Sequence, residues 1–177
     1  MDEYVLSRAA PEDNGAMYRL MLDVYESLEN REVFAVDGMS KREFVDDILG
    51  QGFGIIARDG AGELAAMLVV HLPGDSDDNL GRDIGLTGAA LDGVAHMDIA
   101  CVAPAHRGHR LEQRLFLYAE AQLPAERWPY LMCTISPDNA PSLHSAERCG
   151  YRVVYTGLKY DGHLRHTLLK QRKISAL

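Results

Sequence analysis

The chain has 177 residues, 47% apolar and 25% charged, a balance that suits one soluble domain large enough to bury a full core. Its net charge of −8 argues against a general nucleic-acid binder, whose contact face is basic, and no apolar run approaches the ~20 residues that span a bilayer. The acidic opening MDEYVLSRAAPED lacks the core of a secretion signal, and Cys101, Cys133 and Cys149 are too widely spaced for a disulfide framework or zinc motif, so the expected compartment is the cytoplasm.

Residues 4–10 read as a first strand. Pro11 and two acids then suit a helix start, and Met17, Leu20, Met21, Val24 and Leu28 recur at helical spacing. Ser40 and Glu43 form a capping-box pattern ahead of a second helix, KREFVDDILGQ. FGIIARDGAGELAAMLVVHL is a hairpin around a turn at 59–62. Residues 73–93 are too polar and glycine-rich for a strand; part can be helical, and so long a connection is either functional or a solvated loop. A central strand over 94–102 follows. Residues 108–123 form a helix striped by Leu111, Leu115, Ala119 and Leu123, and Pro124 and Pro129 frame its exit. Residues 130–135 make a buried strand, 139–149 a short helix stopping at Gly150, and YRVVYTGLKY–DG–HLRHTLLKQR a closing hairpin. Hairpins combined with two strand–helix–strand crossovers predict a mixed sheet in one domain over 1–177.

Positive and small residues gather where the 94–102 strand hands over to a helix: HMDIACVAPAHRGHRLEQRL, with Arg107, Gly108, His109 and Arg110 at the helix start. Unpaired amides and the positive helix end make phosphate the natural guest. No G-K-[ST] marks a triphosphate loop, and no G-x-G-x-x-G follows a first strand. VAPAHRGHRLEQRL resembles the signature of the GNAT superfamily of acyl-CoA N-acyltransferases, a Val-x-Pro strand end and then Arg/Gln-x-x-Gly-x-Gly/Ala. Val102 and Pro104 match the strand end and Arg107 the first motif position; Arg110 and Glu112 stand where small residues are usual. SPDNAPSLHSAERCGY resembles the family's later strand–helix segment through Asn139, Ser142 and the Gly150-Tyr151 ending, and residues 79–98 are similar to a bacterial acetyltransferase subgroup.

The resemblance, which covers nearly the whole chain, implies the GNAT fold, a mixed but mostly antiparallel sheet of about seven strands flanked by helices. It implies acetyl-CoA as co-substrate. The pyrophosphate would rest on the amides of Arg107, Gly108, His109, Arg110, Leu111 and Glu112. The pantetheine arm would pair with the backbone near Ala100, Cys101 and Val102, between two splayed strands, with Asn139 and Ser142 alongside. The acceptor would be a primary amine on a small molecule or peptide.

Amide formation needs a neutral amine, hence a general base. His96 lies where histone-acetyltransferase-like relatives carry their glutamate base, and an imidazole titrates near neutrality. Asp98 shares its face on a regular strand, as a second base or as an orienting group; both can equally be polar groups at the cleft edge. The tyrosine that many relatives use as general acid is replaced by Ala146; Ser142, His144 and Ser145 lie nearby, but cap and surface roles suit them. The pairs His106/His109 and His163/His166 lack a third ligand, so no metal is expected. The acceptor cleft is expected between the first two helices, residues 73–93 and the closing hairpin, where Asp75, Asp77, Asp78 and Asp83 would suit a cation. The alternative is a non-catalytic acyl-CoA-binding module. Exposed sheet edges leave a homodimer open.

Overall fold

A computed structural model describes residues 4–173. Seven strands form one sheet: β1 (Val5–Arg8), β2 (Gly52–Arg58), β3 (Leu64–His71), β4 (Val94–Val102), β5 (Tyr130–Ile135), β6 (Arg152–Lys159) and β7 (His163–Gln171), in the order β1-β2-β3-β4-β5-β7-β6. Only β4 and β5 run parallel; every other pairing is antiparallel. Three helices, α1 (Asn14–Glu26), α2 (Leu111–Ala121) and α3 (Ala140–Arg148), cover the two faces. Against α1 pack Ile56, Met67, Val69, Ile99 and Cys101; against α2 and α3 pack Ile55, Ala57, Leu68, Met97 and Leu131. This alternation along β2 and β3 is the period of two that a sheet buried on both faces requires.

The apolar stripe of α1 is buried at Met17, Leu20, Met21 and Val24, but Leu28 falls beyond the helix. The capping box forms: the Glu43 N–H donates to Ser40 Oγ (3.1 Å) and the Ser40 N–H to Glu43 Oε2 (3.3 Å). The helix it opens is not a regular α-helix. It widens to a π-turn over Glu43–Ile48 and closes in a 3₁₀ turn, Leu49–Gln51. Phe44 and Leu49, five residues apart, both reach the core, and the Leu49 N–H donates to the Phe44 carbonyl. Five-residue spacing is the π period, so core packing overrides the α register here.

Residues 73–93 carry two 3₁₀ turns, Leu80–Ile84 and Gly88–Gly93. Buried Asn79 pins them: its Nδ2 donates to the Gly74 and Leu91 carbonyls and its Oδ1 accepts the Gly81 N–H. The helix expected from 108 begins at Leu111 instead. Gly108 (φ 84°) and Arg110 (φ 56°) are both left-handed and cannot continue a right-handed turn.

The middle of the sheet positions the site. β4 and β5 pair only at Val94–Tyr130, Ala95–Leu131 and His96–Met132 and then part. Along its other edge β4 stays paired with β3, but Val69 faces Ile99 while Val70 faces Met97. Asp98 is therefore an extra residue in a β-bulge.

Candidate functional site

Past His96, β4 has β3 on one side and, among the described residues, no strand on the other. A wedge opens between β4 and β5, with a cavity at each end. The first, about 470 Å³, lies over the start of α2; the second, about 440 Å³, lies beneath the closing hairpin. A narrow throat of about 50 Å³ borders Asp98, Ala100, Glu112, Thr134, Asn139 and Arg165 and shares residues with both cavities. The bulge at Asp98 thus stands where the two cavities meet.

The first cavity gathers most of the sequence-predicted cofactor residues. Ala100 and Val102 come from β4, Arg107, Gly108 and Arg110 from the loop, Leu111 and Glu112 from α2, and Asn139 and Ser142 from the start of α3. Arg110 occupies the cap position of α2 without a side-chain cap, so no side chain competes for the first-turn amides. The positive φ at Gly108 costs nothing for glycine and turns the chain into this cradle. Arg107 lines the cavity while its Nη2 donates to Ser27 Oγ at 3.3 Å. Glu112 is held by a hydrogen bond from Ser142 Oγ on α3; burial raises its carboxyl, and its bonds to Ser142 and Ser145 oppose the rise.

Two expected residues stand elsewhere. The Cys101 side chain packs in the α1-side core, where burial keeps its thiol protonated; only its backbone belongs to the exposed stretch of β4. His109 does not line the cavity. Its Nδ1 sits 3.1 Å from both the His106 and Arg107 carbonyl oxygens, and its ring lies 5.4 Å from Tyr4. The opposite wall is apolar: Val24, Leu28, Val33 and Phe34. Sequence reading assigned Val24 and Leu28 to a core stripe and passed over the other two.

The second cavity holds His71, Asp78, His96, Asp98, Tyr160 and Arg165 among its lining. His96 Nε2 accepts the Leu80 N–H at 3.1 Å, which fixes the proton on Nδ1. Burial, then the charges of His71 and Lys159, lowers its pKa to about 3. His96 is therefore a neutral structural acceptor anchoring Leu80–Ile84, with its basic nitrogen already engaged. Asp98 differs. Burial first, and Asp78 second, raises its carboxyl to about 6, and its side chain keeps 26% exposure toward the cavity. His71 Nδ1 stands 3.9 Å from Asp98 Oδ2, and burial lowers the His71 pKa as well. The face-sharing of His96 and Asp98 assumed a regular strand; the bulge replaces that geometry, although both still border this cavity.

Of the acids expected around an acceptor, only Asp78 lines the cavity. Asp83 is neutralised by Lys159 (2.8 Å) and accepts from Thr167 Oγ1 (2.7 Å), and exposed Asp75 pairs with Arg82 (2.9 Å). Glu43 and Asp47 take their place at the helical turn after Ser40. Sequence reading took Tyr160 for a core or sheet aromatic and passed over Arg165. The signal for Arg165 is a charged residue on the inward alternation of β7, where Arg165 and Thr167 are both buried on one face. Ala146 is fully buried, so the usual tyrosine position lies inside the core. Among the described residues no three His, Cys, Asp or Glu side chains cluster to hold a metal, and no helix is long and apolar enough to cross a membrane.

A model of the acetyltransferase (GNAT) family matches residues 14–151. No curated protein matches the chain. Solved structures do. The ribosomal-protein-S18-alanine N-acetyltransferase from Escherichia coli aligns at 13% identity and a TM-score of 0.70, over 98% of this chain and 97% of its own. A GNAT-family acetyltransferase from Listeria monocytogenes aligns at 20% identity and 0.68, over 95% and 94%. A mosquito arylalkylamine N-acetyltransferase-like protein aligns at 17% and 0.65, over 96% and 100%. At these identities the likeness is one of fold.

Proposed function

Because the chain belongs to the GNAT acetyltransferase family, we propose that it transfers an acetyl group from acetyl-CoA to a primary amine, with Asp98 as the general base. The observation that carries this reading is the split between β4 and β5 at the Asp98 bulge, which links a cradle suited to a pyrophosphate with a second cavity holding a carboxylate of raised pKa.

The residues present fit acetyl-CoA. The uncapped start of α2 with Arg107 and Arg110 would hold the pyrophosphate, and the unpaired edge of β4 from Ala100 to Val102 would hold the pantetheine arm. Acetyl-CoA supplies the acetyl thioester. On the other side, an ammonium entering the second cavity meets Asp98 at the throat. Asp98 removes its proton, directly or through water, and leaves a lone pair aimed along the wedge. A carboxylate with a pKa near 6 is charged at neutral pH and still basic enough for the task. His96 supports this indirectly by fixing Leu80–Ile84 beside β4. With Ala146 in place of a tyrosine, the departing thiolate takes its proton from water.

Thermal unfolding with acetyl-CoA, followed by transfer assays on a panel of amines, tests the reading. Ligand at about 100 times its dissociation constant should stabilise the fold by about 2.7 kcal/mol. Stabilisation together with transfer to at least one amine is the expected result. Stabilisation without transfer to any amine would instead identify the non-catalytic acyl-CoA-binding module. No stabilisation would remove both.

A further inference from the structure

Arg165 of β7 is 6% exposed and lines both the second cavity and the throat. Its Nη1 donates to the Val33 carbonyl (3.0 Å) and its Nη2 to the Thr134 carbonyl (3.2 Å). Its buried Nε has no partner, and no described carboxylate lies within ion-pair distance of the guanidinium. A buried guanidinium whose charge is met only by carbonyl dipoles is poorly compensated, since such groups normally find an anion. Two half-buried lysines of the same hairpin have found theirs, Lys159 on Asp83 and Lys170 on Glu120. The Tyr160 ring lies 5.9 Å from the guanidinium, with the Tyr160 hydroxyl hydrogen-bonded to Thr134 Oγ1 (3.0 Å), so aromatic and hydroxyl groups flank the charge.

The same throat is bordered by Asp98. One small space therefore holds a buried cation and a half-buried anion that are not paired with each other. A simple amine would satisfy Asp98 and leave Arg165 uncompensated. A zwitterion, with its amine and carboxylate on one carbon, answers both.

Resting on the acetyl-transfer reading above, we infer that the acceptor is a free amino acid, its α-carboxylate bound by Arg165 while its α-amine is presented to Asp98. Arg165 is then a specificity-determining residue, and the free carboxylate separates single amino acids from peptide amino termini, whose adjacent carboxyl is tied up in an amide.

Matched pairs of acceptors test this in the full-length protein with acetyl-CoA: tyrosine against tyramine, histidine against histamine, phenylalanine against phenethylamine, arginine against agmatine and lysine against cadaverine. In at least one pair, kcat/KM for the amino acid should exceed that for the amine by ~10²-fold, because a site built to pair a charged group strongly rejects an analogue lacking it. The corresponding amino acid amide, equal in shape but without the negative charge, should fall with the amine. Arg165→Gln should cut the amino-acid-to-amine ratio at least ~10-fold and Arg165→Lys less, in protein that still shows the acetyl-CoA thermal shift. The ratio cancels any general loss from the substitution, and the amide comparison needs no variant, so a variant that fails to fold leaves the inference open to refutation. Transfer to amines in preference to amino acids, or a ratio untouched by Arg165→Gln, overturns the carboxylate subsite and leaves the acetyl-transfer reading standing. Transfer to neither class overturns both.

Discussion

The two cavities that meet at Asp98 are made of different material. The one over α2 is built around main chain: the unpaired edge of β4, a left-handed glycine and an uncapped helix start, with half of its lining drawn from the continuous run between Ala100 and Glu112. The one beneath the hairpin is made of side chains. His71, Asp98, Thr134, Tyr160 and Arg165 come from β3, β4, β5, the hairpin turn and β7, and Arg165 among them is a buried charge. Main-chain recognition tolerates changes of side chain, so one cradle can serve a whole family. Side-chain recognition is particular to the chain that carries it. The contrast predicts that substitutions in the first cavity act on cofactor affinity and those in the second on turnover and acceptor choice.

The sharpest test of that division is Asp98→Asn. Loss of a general base should lower kcat by ~10²–10⁴-fold, while the thermal shift with acetyl-CoA stays close to wild type. The pH profile carries the same information. With its pKa raised to about 6, Asp98 is protonated and inactive as a base below that value. Activity should therefore rise with pH through a limb near 6, in addition to any limb from the amine itself. Asp78→Asn removes a charge that raises Asp98 and should move the limb to lower pH. A profile flat between pH 5 and 7, or wild-type turnover in Asp98→Asn, would break the assignment.

That division also decides what could be read from the sequence. The succession of strands along the chain, the closing hairpin, the Ser40–Glu43 box and the central strand over Val94–Val102 are local patterns, and the structure shows them at those places. The proposed cofactor cradle is local too, so the resemblance carried by the stretch from Val102 to Glu112 pointed to it. The acceptor side was less legible because its parts become neighbours only through sheet register. Whether His96 and Asp98 share a face depends on a single bulge opposite Val69 and Val70. The engagement of His96 by the Leu80 amide, sixteen residues away, has no sequence signature. Left-handed Arg110, which shortens α2, was equally hidden, since arginine seldom adopts that conformation.

His96→Leu should act on stability where Asp98→Asn acts on rate. It leaves the buried Leu80 N–H unpaired and should cost about 1–3 kcal/mol at pH 7. Its pH dependence shows why. The folded His96 pKa of about 3 lies below the ordinary value of 6.5, so the fold is stabilised by neutral His96 above 6.5. That stabilisation is lost at about 1.4 kcal/mol per pH unit as pH falls from 6.5 toward 3. Asp98 works in the opposite sense, since its raised pKa disfavours the folded state as it ionises between 3.8 and about 6. Asp98 is common to both proteins, so the difference in melting temperature isolates His96. The gap between wild type and His96→Leu should be widest at pH 7 and close near about pH 5. A gap independent of pH would mean that His96 is not held neutral.

On the cofactor side, Gly108→Val forces a β-branched residue to a φ of 84° and should cost about 1–2 kcal/mol in the free protein. No atom crowds that position, so the cost is conformational and not a clash. If the cradle depends on this turn, the acetyl-CoA shift shrinks as well, while the amino-acid-to-amine ratio of residual turnover stays unchanged. A changed ratio would mean that the two cavities are not separate in function.

The smallest expected effect bears most directly on what the first cavity is made of. Arg110 is an exposed, left-handed, non-glycine residue at the cap of α2 (φ 56°, ψ 28°). That conformation costs an arginine about 1–2 kcal/mol. Arg110→Gly removes the strain but adds freedom to the unfolded chain, worth about 0.4–1 kcal/mol in the other direction. The net is a stabilisation of about 0.5–1 kcal/mol, a rise in Tm of about 1–4 °C for a domain of this size, read without ligand. The same variant removes a positive charge from the proposed pyrophosphate cradle. If the uncapped amides do most of the holding, more than half of the acetyl-CoA shift survives in Arg110→Gly. If the shift disappears, the charge of Arg110 holds the pyrophosphate and has taken over from the small residue usual at that place. The first cavity would then depend on a side chain as much as the second does, and the contrast between them would fail.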